Sequence, residues 1–193
     1  MRKRIGDIFV EKGLITPNQL AQTLDFAKQN GLRLGDAAVK LGFIKPKALI
    51  QIFGPSNSED FFYLDVNFFP VITQGLFDIP TILKYGVLPL GFKTDMKLFK
   101  TKKLLNIGLI SPEKRDTTLP ELERLAKAKL GPNAFQEFKI YLILAEQLVE
   151  VLEKKYAFPE ENLRAADGDM DERLILFLDS GSKLLSTKIM ENG

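Results

Sequence analysis

An internal repeat with a period of 29 residues fills the first third of the chain and constrains its fold more than any other feature. Eight positions are identical at this offset: Arg4, Gly6, Asp7, Val10, Gly13, Ile15, Pro17 and Leu20 recur as Arg33, Gly35, Asp36, Val39, Gly42, Ile44, Pro46 and Leu49. Eight identities at one offset are hard to obtain by chance. We therefore expect both copies to form the same supersecondary unit.

Each copy is predicted to contain two short helices. In copy one, Ile5, Ile8 and Phe9 follow helical spacing, and Gly13 is placed to end the helix with a positive φ. A second, longer helix follows, and copy two repeats the pattern with Gly42. A single helical hairpin of this length cannot bury its apolar face alone, so the two hairpins are expected to pack on each other.

Capping signals place the start of the second helix in each copy. Thr16 and Gln19 have the spacing of a capping box, and Pro17 falls at the first helical position. In copy two the capping position holds Lys45, so the helix that begins at Pro46 is expected to fray more easily.

Composition excludes most enzyme classes. The 193 residues include no Cys and no His, which excludes disulfides, thiolate zinc sites, thiol nucleophiles and the Ser/His/Asp triad. Lys100, Lys102 and Lys103 beside Asp95 could suggest phosphate chemistry, but no base or metal set accompanies them. We expect a non-enzymatic protein with no catalytic residues, no bound metal and no cofactor.

Two short patterns resemble ligand-binding loops but lack essential residues. The acidic run through Asp167, Asp169 and Asp171 has Glu172 where an EF-hand loop needs Gly, and Leu178 where it needs Glu. The spacing of a Walker A loop is absent throughout. Neither calcium binding nor ATP hydrolysis is expected of this chain.

Charge is unevenly distributed along the sequence. Residues 1–57 carry nine Lys or Arg against four acids, a net of +5, which leaves −3 for residues 58–193. A basic N-terminal third favours an anionic partner, with a solvated helical surface as the alternative. No secretory h-region or membrane-spanning apolar run is present, so we expect a cytoplasmic protein without membrane insertion.

The rest of the chain is predicted to be α+β. Residues 54–60 have the composition of a linker, and the aromatic cluster from Phe61 to Phe69 is expected to dock on a core rather than to stack on DNA or RNA. The predicted elements are a helix over Ile79–Tyr85, strands over Gly86–Phe92 and Lys103–Ile110, a helix over Thr118–Leu130, a strand at the start of Ala134–Leu144, a helix over Ala145–Tyr156 and a short strand over Leu174–Leu178.

The expected organisation is a tandem helical-hairpin repeat followed by a small α+β sandwich domain. The repeat spans residues 1–57, the α+β domain residues 58–157, and an acidic linker and C-terminal tail residues 158–193. The boundary near residue 57 predicts that the two folded parts are separable.

The repeat resembles the tandem motif of the MshEN domain, found at the N-terminus of bacterial type II secretion and type IV pilus ATPases. The matching copies run from Arg4 to Ala27 and from Arg33 to Ser56, with a five-residue spacer. The order of the α+β elements is also similar to that region, although the ATPase domain that usually follows is missing. The resemblance implies that the paired motifs bind cyclic di-GMP, a two-fold symmetric dinucleotide.

The resemblance assigns a set of candidate ligand-binding residues. An Arg fork suits both guanine and phosphate, and a Gly two residues later lets backbone approach an anionic oxygen. Asp7 and Asp36 could accept from guanine amino groups or orient a neighbouring Arg, and Arg2 could add a phosphate contact. The implied site is Arg2, Arg4, Gly6, Asp7, Arg33, Gly35 and Asp36.

One departure from the family pattern supports a second interpretation. The closing Gln of the motif is Ala27 in copy one and Ser56 in copy two. An amide able to bond a guanine or ribose is therefore missing twice. The alternative function is a protein–protein docking module of a secretion or pilus machine in which nucleotide binding has been lost.

Overall fold

The computed structural model describes residues 4–53, 64, 66–97, 100–166 and 168–180. Four helices come first, then an α+β arrangement, then a helical C-terminal segment. The elements are α1 (Ile5–Glu11), α2 (Pro17–Asn30), α3 (Leu34–Lys40), α4 (Pro46–Phe53), α5 (Ile79–Tyr85), β1 (Val87–Lys97), β2 (Lys100–Leu109), α6 (Arg115–Leu130), β3 (Glu137–Leu142), α7 (Ala145–Tyr156), α8 (Glu160–Arg164) and α9 (residues 172–180).

The two sequence copies form equivalent helical hairpins, as predicted. The first helix of each has seven residues and is followed by a left-handed glycine, Gly13 at φ 67° and Gly42 at φ 73°. At the start of α2 the Thr16 hydroxyl accepts from the backbone N–H of Gln19, and the Gln19 carboxamide accepts from the N–H of Thr16. The capping box is therefore confirmed.

The α+β part is built on a three-stranded sheet in the order β1-β2-β3. The central strand β2 is antiparallel to β1 and parallel to β3, and α6 forms the crossover between the two parallel strands. The bounds of α5 and α7 agree with the sequence prediction. The structure extends β1 to Lys97, and it starts α6 one turn earlier than predicted, at Arg115.

The C-terminal segment differs from the expected acidic linker. Residues 160–164 and 172–180 are helical, so the short strand predicted over Leu174–Leu178 is wrong. Leu163, Leu174 and Phe177 are buried in the main core. Leu174, Phe177 and Leu178 have the i, i+3, i+4 spacing of one helix face, and the burial of these side chains and of Leu163 holds the segment against the rest of the chain.

Two hydrophobic clusters form the core, and both cross the predicted boundary near residue 57. The larger one combines the sheet, α5, α6 and α7 with Ala27, Leu32 and Ala37 from the repeat. The smaller one lies within the repeat around Phe9 and also includes Leu144, which precedes α7. The repeat and the α+β part therefore share buried apolar surface.

Much of the predicted aromatic cluster and the predicted linker 54–60 lie outside the described residues. Of the described positions, Leu64 and Phe69 are buried as expected, whereas Phe68 is 82% exposed. Among the residues that the structure describes, no helix has the length and apolar character needed to cross a membrane.

Candidate functional site

The first motif copy lies at the start of α1. Arg4 is the N-cap residue, in extended conformation, and both Arg4 and Asp7 are exposed. Gly6 is buried, and a Cβ at this position would lie 2.8 Å from Leu20 Cδ1 and 3.4 Å from Leu34 Cδ2. Gly6 thus permits a close approach of α1 to α2 and to the start of α3.

The second motif copy lies at the start of α3, next to the first. Arg33 is the N-cap residue, as Arg4 is in α1. The side chain of Leu34, the residue after Arg33, reaches Gly6, because a Cβ added at Gly6 would lie 3.4 Å from Leu34 Cδ2. The starts of the two motif helices are therefore near each other. Gly35 is less crowded than Gly6, since the nearest atom to an added Cβ would be Leu49 Cδ1 at 3.8 Å.

The two copies differ in how their side chains are engaged. The Arg33 side chain is 25% exposed, and its Nη2 donates to Glu113 Oε2 at 2.8 Å. Glu113 follows β2, so this ion pair joins the repeat to the α+β part. Burial, and next the nearby Arg173, lower the pKa of Arg33, and Asp36 and Glu113 act in the opposite direction.

Asp36 is buried, in contrast to its counterpart Asp7. Its side chain is 1% exposed, and its Oδ1 accepts from the backbone N–H of Ala145 at 3.3 Å, at the start of α7. Burial raises the pKa of Asp36, and the charge of Arg33 opposes the shift. The Asp36 carboxylate is turned inward and is not presented to solvent. That it accepts from a guanine amino group or orients a neighbouring Arg stays a prediction.

Glu113 is shared by two arginines. Its Oε1 accepts from Arg173 Nη2 at 2.5 Å, while Oε2 accepts from Arg33. Burial acts to raise the pKa of Glu113, but hydrogen bonds from its own backbone N–H and from Arg173 outweigh burial, and the pKa is lowered. The Arg33–Glu113–Arg173 bridge connects α3, the segment after β2 and α9.

A second carboxylate in the same region, that of Asp171, contacts the start of α9. Asp171 is buried, and its Oδ1 accepts from the Ser111 hydroxyl at 2.9 Å and from the backbone N–H of Arg173. Lys114 lies 3.6 Å from its other oxygen. Asp171, predicted to lie in a flexible acidic run, instead fixes the start of α9.

Two buried atoms of the second motif have no hydrogen-bond partner among the described residues: Arg33 Nη1 and Asp36 Oδ2. Arg33 therefore has one bonded and one unused side of its guanidinium fork. Nη1 is enclosed by the chain, so it can donate to an external oxygen only if the Arg33 side chain moves.

Arg2, the last of the predicted ligand residues, lies outside the described residues. A cleft of about 550 Å³ is lined by Lys84, Tyr85 and Asp169 among others, and none of the predicted ligand residues lines it. Within the described ranges, no group of three or more His, Cys, Asp or Glu side chains could hold a metal ion.

Sequence reasoning missed Glu113 and Arg173 as partners of the motif. Glu113 is 80 positions from Arg33, and no local pattern marks it as the partner of a repeat residue. The only signal in the sequence is the opposite net charge of residues 1–57 and 58–193. It predicts that the two parts attract each other but does not identify which residues pair.

Comparison with known proteins gives distant likenesses among solved structures. No family model matches the chain, and no curated protein matches it. A solved structure described as "Structure of MshE with cdg" is 24% identical, with a TM-score of 0.40, and the match covers 80% of this chain and 100% of that chain. A likeness at this level establishes neither a ligand nor a function for the present chain.

Proposed function

We propose that the tandem repeat binds cyclic di-GMP and that the chain is a cytoplasmic regulatory or adaptor protein without enzymatic activity. One observation carries the proposal: two sequence-equivalent Arg-x-Gly motifs begin two helices whose starts are near each other, with the Leu34 side chain reaching Gly6. A two-fold symmetric dinucleotide presents two equivalent halves, and paired motifs match that symmetry.

The chemistry of the ligand fits the arginines. Each guanine offers O6 and N7 acceptors to a planar guanidinium, and each phosphate accepts a charge-assisted pair of hydrogen bonds. Arg4 is exposed, and Arg33 has an unused Nη1. In this arrangement Arg4 makes the primary contact, and Arg33 contributes by exchanging Glu113 for the ligand.

A specific observation favours the second candidate, a protein-docking module. Ala27, which occupies the position of the motif's closing Gln, is 8% exposed and belongs to the main core. A ligand-bonding amide is therefore replaced by a side chain that packs inward. Arg33 and Asp36 are also engaged within the chain. On this reading the repeat docks a component of a secretion or pilus assembly and binds no nucleotide.

Titration calorimetry of the full chain with cyclic di-GMP separates the two candidates. Binding should be measurable and should weaken on Arg4→Ala, because an exposed guanidinium is lost without disturbing the core. Lys45→Ala removes a charge from the same basic third but outside the motif, and it should leave the affinity nearly unchanged. Equal losses of affinity in the two variants would indicate diffuse charge attraction. If the wild-type chain gives no heat of binding, the nucleotide proposal fails and the docking module is favoured.

Gly35→Ala tests the same site through the backbone. The added Cβ meets nothing closer than 3.8 Å within the chain, so the fold should tolerate it. If the Gly35 backbone approaches the ligand, the methyl group should weaken binding although the melting temperature does not fall. Unchanged affinity would exclude a contact at this position.

A further inference from the structure

The sheet ends in an unusually long edge strand. β1 has 11 residues, and among the residues that the structure describes it pairs with β2 alone. The third strand pairs with β2 only from Leu104 onward. Beyond the Lys93–Leu104 pair the ladder continues with β1 and β2 alone, while Gln136 still bonds the Lys103 backbone on the β2 side. Such a two-stranded ladder is marginal in water unless something covers it.

Part of the β1 edge is covered within the chain. The Thr73 hydroxyl donates to the Pro89 carbonyl at 3.3 Å, and an added Cβ on Gly91 would lie 3.5 Å from Pro70. Past Gly91 the side chains become accessible: Phe92 is 42% exposed and Met96 is 80% exposed. Two large apolar residues thus lie on the uncovered end, on the same face of the strand.

This end of β1 is complementary to itself. Its sequence Phe92-Lys93-Thr94-Asp95-Met96 has opposite charges on either side of Thr94 and large apolar residues outside them. If the strand meets a second copy antiparallel with Thr94 facing Thr94, each Lys93 lies opposite an Asp95. Each Phe92 then lies opposite a Met96, a favourable sulfur–aromatic pair.

We propose that β1 pairs with β1 of a second copy of this chain, antiparallel and centred on Thr94, to form a continuous six-stranded sheet across a two-fold axis. The interface is isologous, as expected for a homodimer. It uses none of the motif residues and is independent of the proposed ligand.

The charges favour the Thr94-centred register over the two neighbouring registers. A shift that centres the pairing on Lys93 places Lys93 opposite Lys93, and centring on Asp95 places Asp95 opposite Asp95. Like charges directly opposite are unfavourable, so the Thr94-centred register is preferred. A pairing of about five residues per strand is a small contact beside the roughly 1,200 Å² that specific stable interfaces bury at least, so we expect a weak dimer and look for it at about 10–1,000 μM chain.

Sedimentation velocity across that concentration range tests the proposal with the full chain. Lys93→Asp and Asp95→Lys each turn both charge pairs repulsive and should raise the Kd at least about tenfold. An equimolar mixture of the two variants should dimerise again, because each Asp of one chain then faces a Lys of the other. Lys28→Asp, on α2, is the control for net charge and should dimerise as the wild type does.

A thiol test fixes the register. The chain contains no Cys, so Thr94→Cys introduces a single thiol. Residues directly opposite in an antiparallel pair have Cα atoms about 4.5–5.5 Å apart, within disulfide range. Met96→Cys is the control, because two copies of residue 96 would be offset by four residues, about 14 Å.

Rapid oxidation of the Thr94→Cys variant alone to a disulfide dimer supports the proposal. Equal cross-linking of both cysteine variants overturns the register. A wild-type chain that stays monomeric at about 1 mM, or a variant mixture that fails to dimerise when the wild type does, overturns the interface itself.

Discussion

At the scale of single residues, equivalent positions of the repeat have different environments. Asp7 is exposed, whereas Asp36 is buried and bonded to the start of α7. Gly6 is packed against Leu20, whereas Gly35 has space around it. These pairs provide matched controls within one chain, because the same substitution can be made at both positions.

Asp36→Asn should change how stability depends on pH. Burial raises the pKa of Asp36, so the native state holds this proton more tightly than the unfolded state does. Its contribution is fully present below the unfolded pKa of about 3.9 and is lost as pH rises through the native pKa. Urea unfolding from pH 4 upward should therefore show wild-type stability falling relative to Asp36→Asn. Asp7→Asn, at an exposed position, is the matched control, and a parallel trend in both variants would contradict the assignment.

Gly6→Ala and Gly35→Ala should have opposite effects on stability. Alanine in place of glycine within a helix stabilises it by roughly 0.5–1 kcal/mol where space allows. At Gly35 the nearest atom is at ordinary contact distance, so thermal unfolding should shift upward. At Gly6 the new Cβ would lie 2.8 Å from Leu20 Cδ1, and the required repacking should cancel or exceed the gain. Equal shifts would mean that Gly6 is not needed for close packing.

At the scale of elements, the Arg33–Glu113–Arg173 bridge joins three parts of the chain that are distant in sequence. Glu113 lies between two cations, and Arg173 is the second cause of the lowered pKa of Arg33. Without the carboxylate the two arginines would repel each other. The bridge therefore determines how firmly α3 and α9 hold to the segment after β2.

Glu113→Gln should lower the free energy of unfolding by about 1 kcal/mol, since the carboxylate is half exposed and partly screened. The pKa of Glu113 is lowered, so its contribution is present above the unfolded pKa and is lost as pH falls through the native pKa. The difference from wild type, measured by urea unfolding, should vanish in acid and shrink in high salt. Asp116→Asn, 89% exposed in the same region, should have little effect.

The sequence predicts elements with strong local signals. The α5 helix has Asp78 as its cap and Gly86 as its left-handed end, and both signals are readable without a structure. The capping box at Thr16 is likewise local. In residues 172–180 the helical spacing of Leu174, Phe177 and Leu178 is short and follows an acidic run, so the sequence alone does not predict α9. The engagement of Arg33 depends on Glu113, and pairing over such a separation is determined by tertiary packing alone.

At the scale of the whole molecule, the shared core bears on whether the repeat is a separate unit. The main cluster includes Ala27, Leu32 and Ala37, and the repeat's own cluster includes Leu144. Unfolding the repeat alone would expose apolar surface on both sides. Shared burial of this kind favours one cooperative transition over two.

Thermal unfolding followed by two probes tests this coupling. The chain has no Trp, and its four Tyr residues all lie after residue 57, so Tyr fluorescence reports on the α+β part while far-UV circular dichroism also reports on the repeat. We expect the midpoints to coincide within about 2 °C. Leu49→Ala, in the repeat core, should lower both midpoints together by about 5–15 °C. A shift seen only by circular dichroism would support separable units divided near residue 57.

The two motif copies are expected to diverge under different constraints, because Arg33 and Asp36 of copy two bond to distant parts of the chain. In copy two, replacing Arg33 removes an ion pair that holds distant elements together, so selection for folding alone retains it. In copy one, Arg4 and Asp7 are exposed at the surface, and only a binding partner would maintain them. Among related chains, drift at positions 4 and 7 beside an intact copy two would therefore identify lineages that abandoned the ligand and kept the fold.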